Sequence, residues 1–214
     1  APLPCIVTCR AACEGGGFDG PPQARHELLS YLLEKDAVPS YVDVEYDCWS
    51  CEQELQQVCG RLRACGARLI LSAHDVRGRP DDLHRRIAAM RAAPSDVVKI
   101  AWRARSVRDC LECCDVLTAR TGPMIALCMG EHGLMSRVFA GAWGGLLTFA
   151  ALDADACSAP GQPTLADLQH VWRFRQVGPD TALYGLIGDP LGDSPGFAVH
   201  TTHFAERGID GVYL

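Results

Sequence analysis

Short apolar runs alternate with amphipathic segments along most of this chain of 214 residues. The runs are rich in β-branched and other apolar residues and are too short for helices, so they predict strands. The segments between them place apolar residues at helical spacing, which predicts helices with one buried face. Strands are predicted at residues 5–9, 41–44, 68–71, 96–100, 124–127 and 146–149, and helices at 25–35, 82–92 and 106–117.

The predicted strands recur at a nearly constant interval. From Val42 to Leu69, Val97 and Met124 the steps are 27, 28 and 27 residues, the length of one strand with its helix and loops. This alternation predicts parallel strands, and its regularity favours a (β/α)₈ barrel over a doubly wound sheet. Neither GxGxxG nor GxxxxGK[ST] follows any of these strands, so a complete nucleotide-binding Rossmann unit is not predicted.

Composition and charge narrow the possible partners. The chain is 48% hydrophobic and 21% charged, which is a globular composition and excludes disorder as its main state. It carries 20 basic against 26 acidic side chains, and the basic ones are scattered, so nucleic acid is not an expected partner. No apolar run reaches the roughly 18–20 residues of a membrane-spanning helix, so no membrane insertion is predicted.

The chain has 12 cysteines, a high number for its length. Because Cys5, Cys9 and Cys128 lie inside apolar runs, we expect reduced thiols that pack as small apolar groups. The alternative is a zinc site, but no two CxxC pairs have the spacing of known zinc modules, so we predict no metal. The cysteines of that alternative are Cys48, Cys51, Cys59 and Cys65, or Cys110, Cys113 and Cys114.

The most unusual residue in a predicted strand is Lys99, which stands between Val98 and Ile100. Lysine is seldom buried without a partner, and loss of water around it lowers its pKa towards the neutral amine, a nucleophile for ketones. His74 follows the preceding strand and titrates near neutral pH. The pair predicts imine formation and proton abstraction beside a carbonyl. Alternatively, Lys99 reaches out to solvent, and His74 caps a helix through Asp75.

Other polar side chains follow predicted strands at the edge where a barrel places its active site. Arg10 and Glu14 follow the first run, and Arg137 follows the fifth. An arginine fork matches a carboxylate, whereas Ser158 and Gln162 of the segment SAPGQP offer groups for hydroxyls. Because Pro and Gly favour turns, SAPGQP is also explained as a tight turn.

The character of the chain changes near residue 178. Beyond it, YGLIGDPLGDSPGFAVH and the residues that follow predict a strand, a turn, a helix and a second strand, as at the opening of another α/β domain. We therefore predict two domains, residues 1–178 and 179–214. The chain opens with Ala rather than Met, so we expect that its start is not a native terminus.

Eight motifs in order resemble those of type I 3-dehydroquinate dehydratases joined to the start of a shikimate dehydrogenase. The same arrangement is found in the bifunctional enzymes of plants and algae. The resemblance covers nearly the whole chain, and its specificity comes from the order of the motifs. They are TCR…CEGG, YVDVE, LILSAHD, DVVKIA, MGEHGLMSRV, GGLLTFAAL, SAPGQPTLADL and GPDTALYGLIGDP.

The resemblance implies dehydration of 3-dehydroquinate to 3-dehydroshikimate, a hydro-lyase step of the shikimate pathway of aromatic amino acid biosynthesis. It implies that Lys99 forms the imine, that His74 is the acid and base, and that Glu14 orients His74. The substrate-binding residues that it implies are Arg10, Arg137, Ser158 and Gln162.

The resemblance also carries expectations about cofactor and compartment. No metal or cofactor is implied for the dehydratase, whose only implied partner is the small-molecule substrate, and NADP is expected only for a complete dehydrogenase part. The expected location is the plastid stroma for a plant or algal source and the cytoplasm otherwise.

Two departures from the family pattern modify these expectations. The first strand of the family carries an ExRxD motif, and YVDVE matches the third strand instead, so we expect a barrel without its first βα unit and weak or no turnover by these residues alone. In the tail, Ser194 matches the first of two serines of the dehydrogenase, whereas Gly196 and Thr201 replace a serine and an asparagine.

Two other functions remain open at this point. One is an inactive homologue that binds a ligand or partner without turnover. The other is a barrel aldolase, which would also use a lysine such as Lys99 but would not account for SAHD and SAPGQ together.

Overall fold

The computed structural model describes residues 3–159, 161–186 and 194–214. Its strands and helices alternate over most of the chain. The strands are β1 (Ile6–Thr8), β2 (Tyr41–Glu45), β3 (Arg68–Asp75), β4 (Val97–Arg103), β5 (Met124–Met129), β6 (Ala182–Tyr184) and β7 (Gly211–Tyr213). The helices are α1 (Pro22–Glu34), α2 (Tyr46–Cys51), α3 (Gln53–Ala64), α4 (Leu83–Ala92), α5 (Val107–Thr118), α6 (Leu134–Val138) and α7 (Gly196–Glu206).

The first five predicted strands and the three predicted helices are confirmed, with ends that differ by a few residues. The sixth predicted strand, at 146–149, is wrong. A strand needs a row of hydrogen bonds to a neighbour, and the described residues offer only a single bridge nearby, between Ala151 and Thr164. An apolar run alone therefore does not make a strand.

Strands β1 to β5 lie in one sheet in sequence order. The pairs β1–β2, β2–β3 and β3–β4 are parallel. In a doubly wound sheet the strand order reverses at a switch point, but here it runs without interruption, as in a barrel wall. The predicted parallel α/β architecture is confirmed.

The contacts divide the chain into two compact units, Ala1–Trp102 with Gly122–Met124, and Arg103–Thr121 with Ile125–Leu214. In the first unit, β2, β3 and β4 are buried over most of their length, as expected for parallel strands covered on both faces. Their apolar side chains form a core with those of α3 and α4. This core includes Val42, Val44, Leu55, Leu62, Leu69, Leu71, Leu83, Met90, Ile100 and Trp102.

The second unit contains a cluster of thiols and a short parallel βαβ arrangement. Cys110, Cys113 and Cys128 are buried, and β6 pairs in parallel with β7, with α7 between them along the chain. The expectation that cysteines pack in the core holds for Cys128 but is wrong for Cys5, which is exposed, because β1 begins only after it. All 12 cysteines are free thiols.

Neither a membrane helix nor a metal cluster is found where the structure can be described. Within the described ranges, no helix combines the length and apolar character that would let it cross a membrane. Over the same residues, His, Cys, Asp and Glu side chains form no group of three or more that could hold a metal ion.

Leu71 on β3 tests the core of the first unit because none of its surface is exposed. Replacing Leu71 with Ala leaves a cavity and is expected to lower the free energy of unfolding by about 2–5 kcal/mol. The matched control is Leu28→Ala on α1, where 42% of the residue is exposed and the expected loss is less than about 1 kcal/mol. Urea unfolding followed by circular dichroism measures both, and equal losses would contradict the assignment of Leu71 to the core.

Candidate active site

One face of the sheet in the first unit is polar and yet buried. Glu45 pairs in register with Ser72, and Ser72 pairs with Lys99, so these three side chains point to the same face. Asp43 and His74 lie two residues away along β2 and β3 and therefore share that face. Asp43, Glu45, Ser72 and Lys99 are exposed by 3%, 2%, 0% and 7%. Charged groups in such a place need partners.

Lys99 is paired with Asp43 on this face. Its Nζ donates a hydrogen bond to Oδ2 of Asp43 at 2.7 Å, and both side chains are buried. Burial lowers the pKa of Lys99, while the charge of Asp43 opposes that shift. The alternative in which Lys99 reaches out to solvent is wrong, because Asp43 and the surrounding strands hold its amine inside.

Asp43 binds three side chains with its two oxygens. Its Oδ1 accepts hydrogen bonds from Nη2 of Arg10 at 2.7 Å and from Oγ of Ser72 at 2.5 Å, while Oδ2 binds Lys99. Although burial alone would raise it, the cations of Lys99 and Arg10 hold the pKa of Asp43 well below its usual range. Asp43 is thus a permanent anion. The sequence analysis missed it, although it stands between Val42 and Val44 just as Lys99 stands between two apolar residues.

His74 is in contact with Glu14. The His74 Nδ1 lies 2.9 Å from Oε2 of Glu14, and the backbone N–H of His74 donates to the same oxygen at 3.1 Å. Glu14 ends a 3-10 helix, Ala12–Glu14, which Gly15 closes with a φ of 84°. A Cβ on Gly16 would lie only 2.1 Å from the carbonyl oxygen of Arg10, so the CEGG motif permits this close turn. The helix-capping alternative for His74 is wrong.

The pKa values of this pair are displaced in opposite directions. Burial raises the pKa of Glu14 to about 7, against the opposing charge of Arg10. Burial lowers the pKa of His74 to about 3, and the charges of Arg10 and Lys99 lower it further. His74 is therefore a neutral imidazole at neutral pH. When Glu14 is ionised it accepts the Nδ1 proton of His74, which leaves Nε2 free to act as a base.

Arg10 lies among carboxylates. Its Nη1 is 3.3 Å from Oε2 of Glu14 and 3.1 Å from Oε1 of Glu45, and its Nη2 binds Asp43. Although burial lowers it, these anions raise the pKa of Arg10 above its ordinary value. In this arrangement Arg10 neutralises the acidic groups of the face. Its implied role in substrate binding stays a prediction.

Arg137 has a different environment in the second unit. It is 2% exposed, its Nη1 donates to the carbonyl oxygen of Phe149 at 3.4 Å, and its Nε has no hydrogen-bond partner. Among the residues that the structure describes, no carboxylate pairs with Arg137. Burial lowers the pKa of this guanidinium, as expected for a cation with little compensation. A buried, incompletely satisfied arginine is suited to a carboxylate ligand.

Ser158 and Gln162 bind each other in a turn of the second unit. The Gln162 Oε1 accepts from the backbone N–H of Ser158 at 2.9 Å and from its Oγ at 3.0 Å. Gln162 N–H donates to the carbonyl of Ala159, which confirms the predicted turn. Gly161 has a φ of 70°, and a Cβ there would lie 2.4 Å from the carbonyl oxygen of Gly130. The turn therefore needs glycine, and the role of the two side chains with substrate stays a prediction.

Comparison with known proteins decides the family. The sequence model of type I 3-dehydroquinase matches residues 1–179. This chain belongs to the type I 3-dehydroquinase family. It is 36% identical over 216 residues to the bifunctional 3-dehydroquinate dehydratase/shikimate dehydrogenase, chloroplastic, of Arabidopsis thaliana, covering all of this chain and 35% of that relative. It is 35% identical over 171 residues to the 3-dehydroquinate dehydratase of Pyrococcus abyssi, covering 79% of this chain and 75% of that protein.

Solved structures confirm the fold of this 3-dehydroquinase family member. The 3-dehydroquinate dehydratase of Geobacillus kaustophilus superposes with a TM-score of 0.70 at 24% identity, over 81% of this chain and 68% of that one. The dehydroquinate dehydratase and shikimate dehydrogenase of S. pombe superposes with a TM-score of 0.62 at 23% identity, over 100% of this chain and 40% of that one. The chain thus spans about a third of the bifunctional plant relative and most of the shorter dehydratases.

The tail of this family member is described only in part. Residues 187–193 of the motif YGLIGDPLGDSP lie outside the described residues. At its edge, Oγ of Ser194 accepts from the backbone N–H of Gly196 at 3.3 Å. Thr201 is buried at 2% exposure. The domain boundary at residue 178 and the role of this tail stay predictions.

The Glu14–His74 pair makes a prediction about pH and stability. The pKa of Glu14 is raised from 4.5 to about 7 in the folded protein, so the folded state holds a proton on Glu14 more tightly than the unfolded state does. The free energy of unfolding therefore falls as the pH rises from 4.5 to about 7. Because the folded pKa of His74 is lowered from 6.5 to about 3, its contribution has the opposite sign and stability increases as the pH rises towards 6.5. The two effects oppose each other between about pH 4.5 and 6.5.

Glu14→Gln removes the titration of Glu14 and leaves that of His74. The stability of this variant is therefore expected to increase more steeply between pH 4.5 and 6.5 than that of the wild type, as measured by urea midpoints. Glu34→Gln, at an exposed position of α1, is the matched control and is expected to keep the wild-type slope. A Glu14→Gln slope equal to that of the wild type would contradict the proposed protonation of the pair.

Proposed function

We propose that this chain catalyses the dehydration of 3-dehydroquinate to 3-dehydroshikimate through an imine on Lys99, with His74 as the acid and base. The observation that carries the proposal is a buried lysine amine on the same sheet face as a neutral imidazole. Lysine amines in such surroundings form imines with ketones. This chain covers more than two thirds of the length of several shorter relatives. These relatives bear the name 3-dehydroquinate dehydratase, which supports this substrate.

The proposed reaction begins at the amine. The ammonium group of Lys99 first gives up one proton, and its neutral Nζ adds to the ring ketone. As water is lost the proton returns, which leaves a protonated imine that withdraws electrons from the adjacent carbon. His74 accepts the proton of that carbon, and the electron pair forms an enamine. The enamine expels the β-hydroxyl group, to which His74 returns a proton, and water then releases the product from Lys99. The protonated imine is the electron sink, so the reaction needs no metal or organic cofactor.

Other side chains of the chain support the substrate in this proposal. Glu14 holds the Nδ1 side of His74, so that Nε2 faces the reaction. The unsatisfied Nε and high burial of Arg137 suit the carboxylate of 3-dehydroquinate, and Ser158 and Gln162 offer hydrogen bonds to its hydroxyls. In this proposal Arg10 also binds the substrate, through an N–H group that is not already bonded to a neighbouring carboxylate.

The step belongs to the shikimate pathway, and its compartment follows the source. The relative from Arabidopsis thaliana is named chloroplastic, which supports the proposed plastid stroma for a plant or algal source. For any other source the proposed location is the cytoplasm. NADP is expected as a cofactor only for a complete shikimate dehydrogenase part. Weak turnover by these 214 residues stays a prediction that the same assays measure.

Reduction of the imine tests the proposal directly. The chain has two lysines, Lys35 and Lys99, so an adduct is easily assigned. Borohydride added with 3-dehydroquinate is expected to fix the ligand to Lys99, as read by mass spectrometry of peptides. Lys99→Met should abolish the adduct, whereas Lys35→Met, an exposed position, should keep it. A wild-type chain without an adduct, or with its adduct only on Lys35, would overturn the proposal.

His74 is tested by separating imine formation from proton transfer. His74→Ala is expected to lower turnover of 3-dehydroquinate by about 10²–10⁴-fold, the usual contribution of an acid–base group. Because Lys99 is untouched, the borohydride adduct should still form. His84→Ala, in which a histidine of α4 is replaced, serves as the control and should keep wild-type turnover. Turnover by His74→Ala at the wild-type rate would exclude His74 as the acid and base.

A further inference from the structure

We infer that Asp43 is the positioning residue of the imine nitrogen: its carboxylate holds Nζ of Lys99 before the ketone arrives and remains the counter-ion of the protonated imine. This inference rests on the proposed function and adds a residue to it. The contact itself is an ion pair of 2.7 Å from Nζ of Lys99 to Oδ2 of Asp43, between side chains exposed by 9% and 1%.

The carboxylate of Asp43 is fixed in place by groups other than Lys99. Its Oδ1 is bound by Arg10 and by Ser72, and the Oγ of Ser72 also accepts from Nη1 of Arg10 at 2.8 Å. Asp43 lies on β2 and Ser72 on β3, so two neighbouring strands and the segment after β1 hold this carboxylate. A carboxylate bound in this way directs Oδ2 towards Lys99 and keeps the amine from turning.

The charge on Nζ explains why a permanent anion belongs there. An ammonium group and a ketone give a protonated imine and one molecule of water, so the nitrogen carries one positive charge before and after the change. Two of the three ammonium protons leave in the water, and the third stays on the imine nitrogen. The ion pair with Asp43 is therefore present at both ends of the step, and the remaining N–H has an acceptor at Oδ2. That hydrogen bond orients the plane of the imine.

Other charged groups also act on Lys99. The cation of Arg10 favours its neutral amine, whereas Glu14 favours its ammonium form, and His74 is neutral at the pH of the reaction. The charge of Asp43, which is in contact with Nζ, stabilises the ammonium form more than the charge of Glu14 does. Removal of its charge should therefore move the titration of Lys99 to lower pH.

The first experiment needs no substrate. Competitive labelling with acetic anhydride over a range of pH measures the reactivity of Lys99, with the exposed Lys35 of the same chain as the internal reference. In Asp43→Asn the midpoint for Lys99 is expected to fall by about one to three pH units, as for loss of an opposite charge at contact distance. In the control Asp115→Asn, which removes an exposed carboxylate of α5, the midpoint should stay at the wild-type value.

The second experiment separates position from charge. Asp43→Glu keeps the anion but moves it by one methylene group, so the labelling midpoint should remain near the wild-type value. The rate of borohydride trapping with 3-dehydroquinate should nevertheless fall at least about tenfold in Asp43→Glu and in Asp43→Asn, since neither places a carboxylate oxygen where Oδ2 lies. Asp115→Asn should trap at close to the wild-type rate.

The outcomes distinguish this inference from the proposed function. A wild-type chain that forms no adduct refutes the proposed function, while the labelling midpoints still show whether Asp43 governs Lys99. An adduct in the wild type together with wild-type labelling and trapping in Asp43→Asn overturns the role of Asp43. If circular dichroism shows that Asp43→Asn does not fold, Asp43→Glu decides, and trapping by this variant at the wild-type rate overturns the inference.

Discussion

The ion pair between Lys99 and Asp43 is the interaction on which the polar face of the sheet depends. Removing either charge from water costs several kcal/mol, and the attraction between them offsets that cost only when the geometry is good and the remaining atoms are bonded. Here the second carboxylate oxygen of Asp43 is bound by Arg10 and Ser72. The amine can thus lie inside the protein and remain in a defined place.

A series of side-chain contacts connects the ion pair of Lys99 and Asp43 to the imidazole of His74. Arg10 bonds to Asp43 through one nitrogen and to Glu14 through the other, and Glu14 bonds to His74. Because the cations of Arg10 and Lys99 oppose a further positive charge, His74 stays neutral. The group that would attack the ketone and the group that would move the proton are therefore tuned by the same set of charges.

The two arginines assigned to substrate occupy different electrostatic environments. Arg10 is surrounded by acidic side chains. Arg137 is buried in the second unit, its Nε has no hydrogen-bond partner, and none of the described carboxylates pairs with it. A guanidinium already paired with anions gains little from another, whereas an unsatisfied one gains much. On this ground the proposed function assigns the carboxylate of the substrate to Arg137, while the ion pairs of Arg10 balance the charges near Lys99.

The order of the first five strands and their helices was readable from the sequence, which also singled out Lys99 and His74 for the proposed chemistry. The interval of 27 or 28 residues predicted parallel strands with helices between them, and Lys99 was conspicuous because a lysine is out of place between apolar strand residues. Asp43 follows the same pattern, but an acidic residue alternating with valines is equally typical of a strand with one face in water. Only the register of β2 against its neighbours shows that its face is buried.

Contacts between distant parts of the chain also select which apolar runs form strands and which polar groups meet. Residues 146–149 have strand-like composition but no row of partners, and a strand depends on hydrogen bonds to a neighbour that local sequence does not specify. Glu14 and His74 are 60 positions apart, and their contact follows from the way β1 and β3 flank β2. Local preference is set by nearby residues, whereas burial and pairing of charges depend on residues distant in the chain.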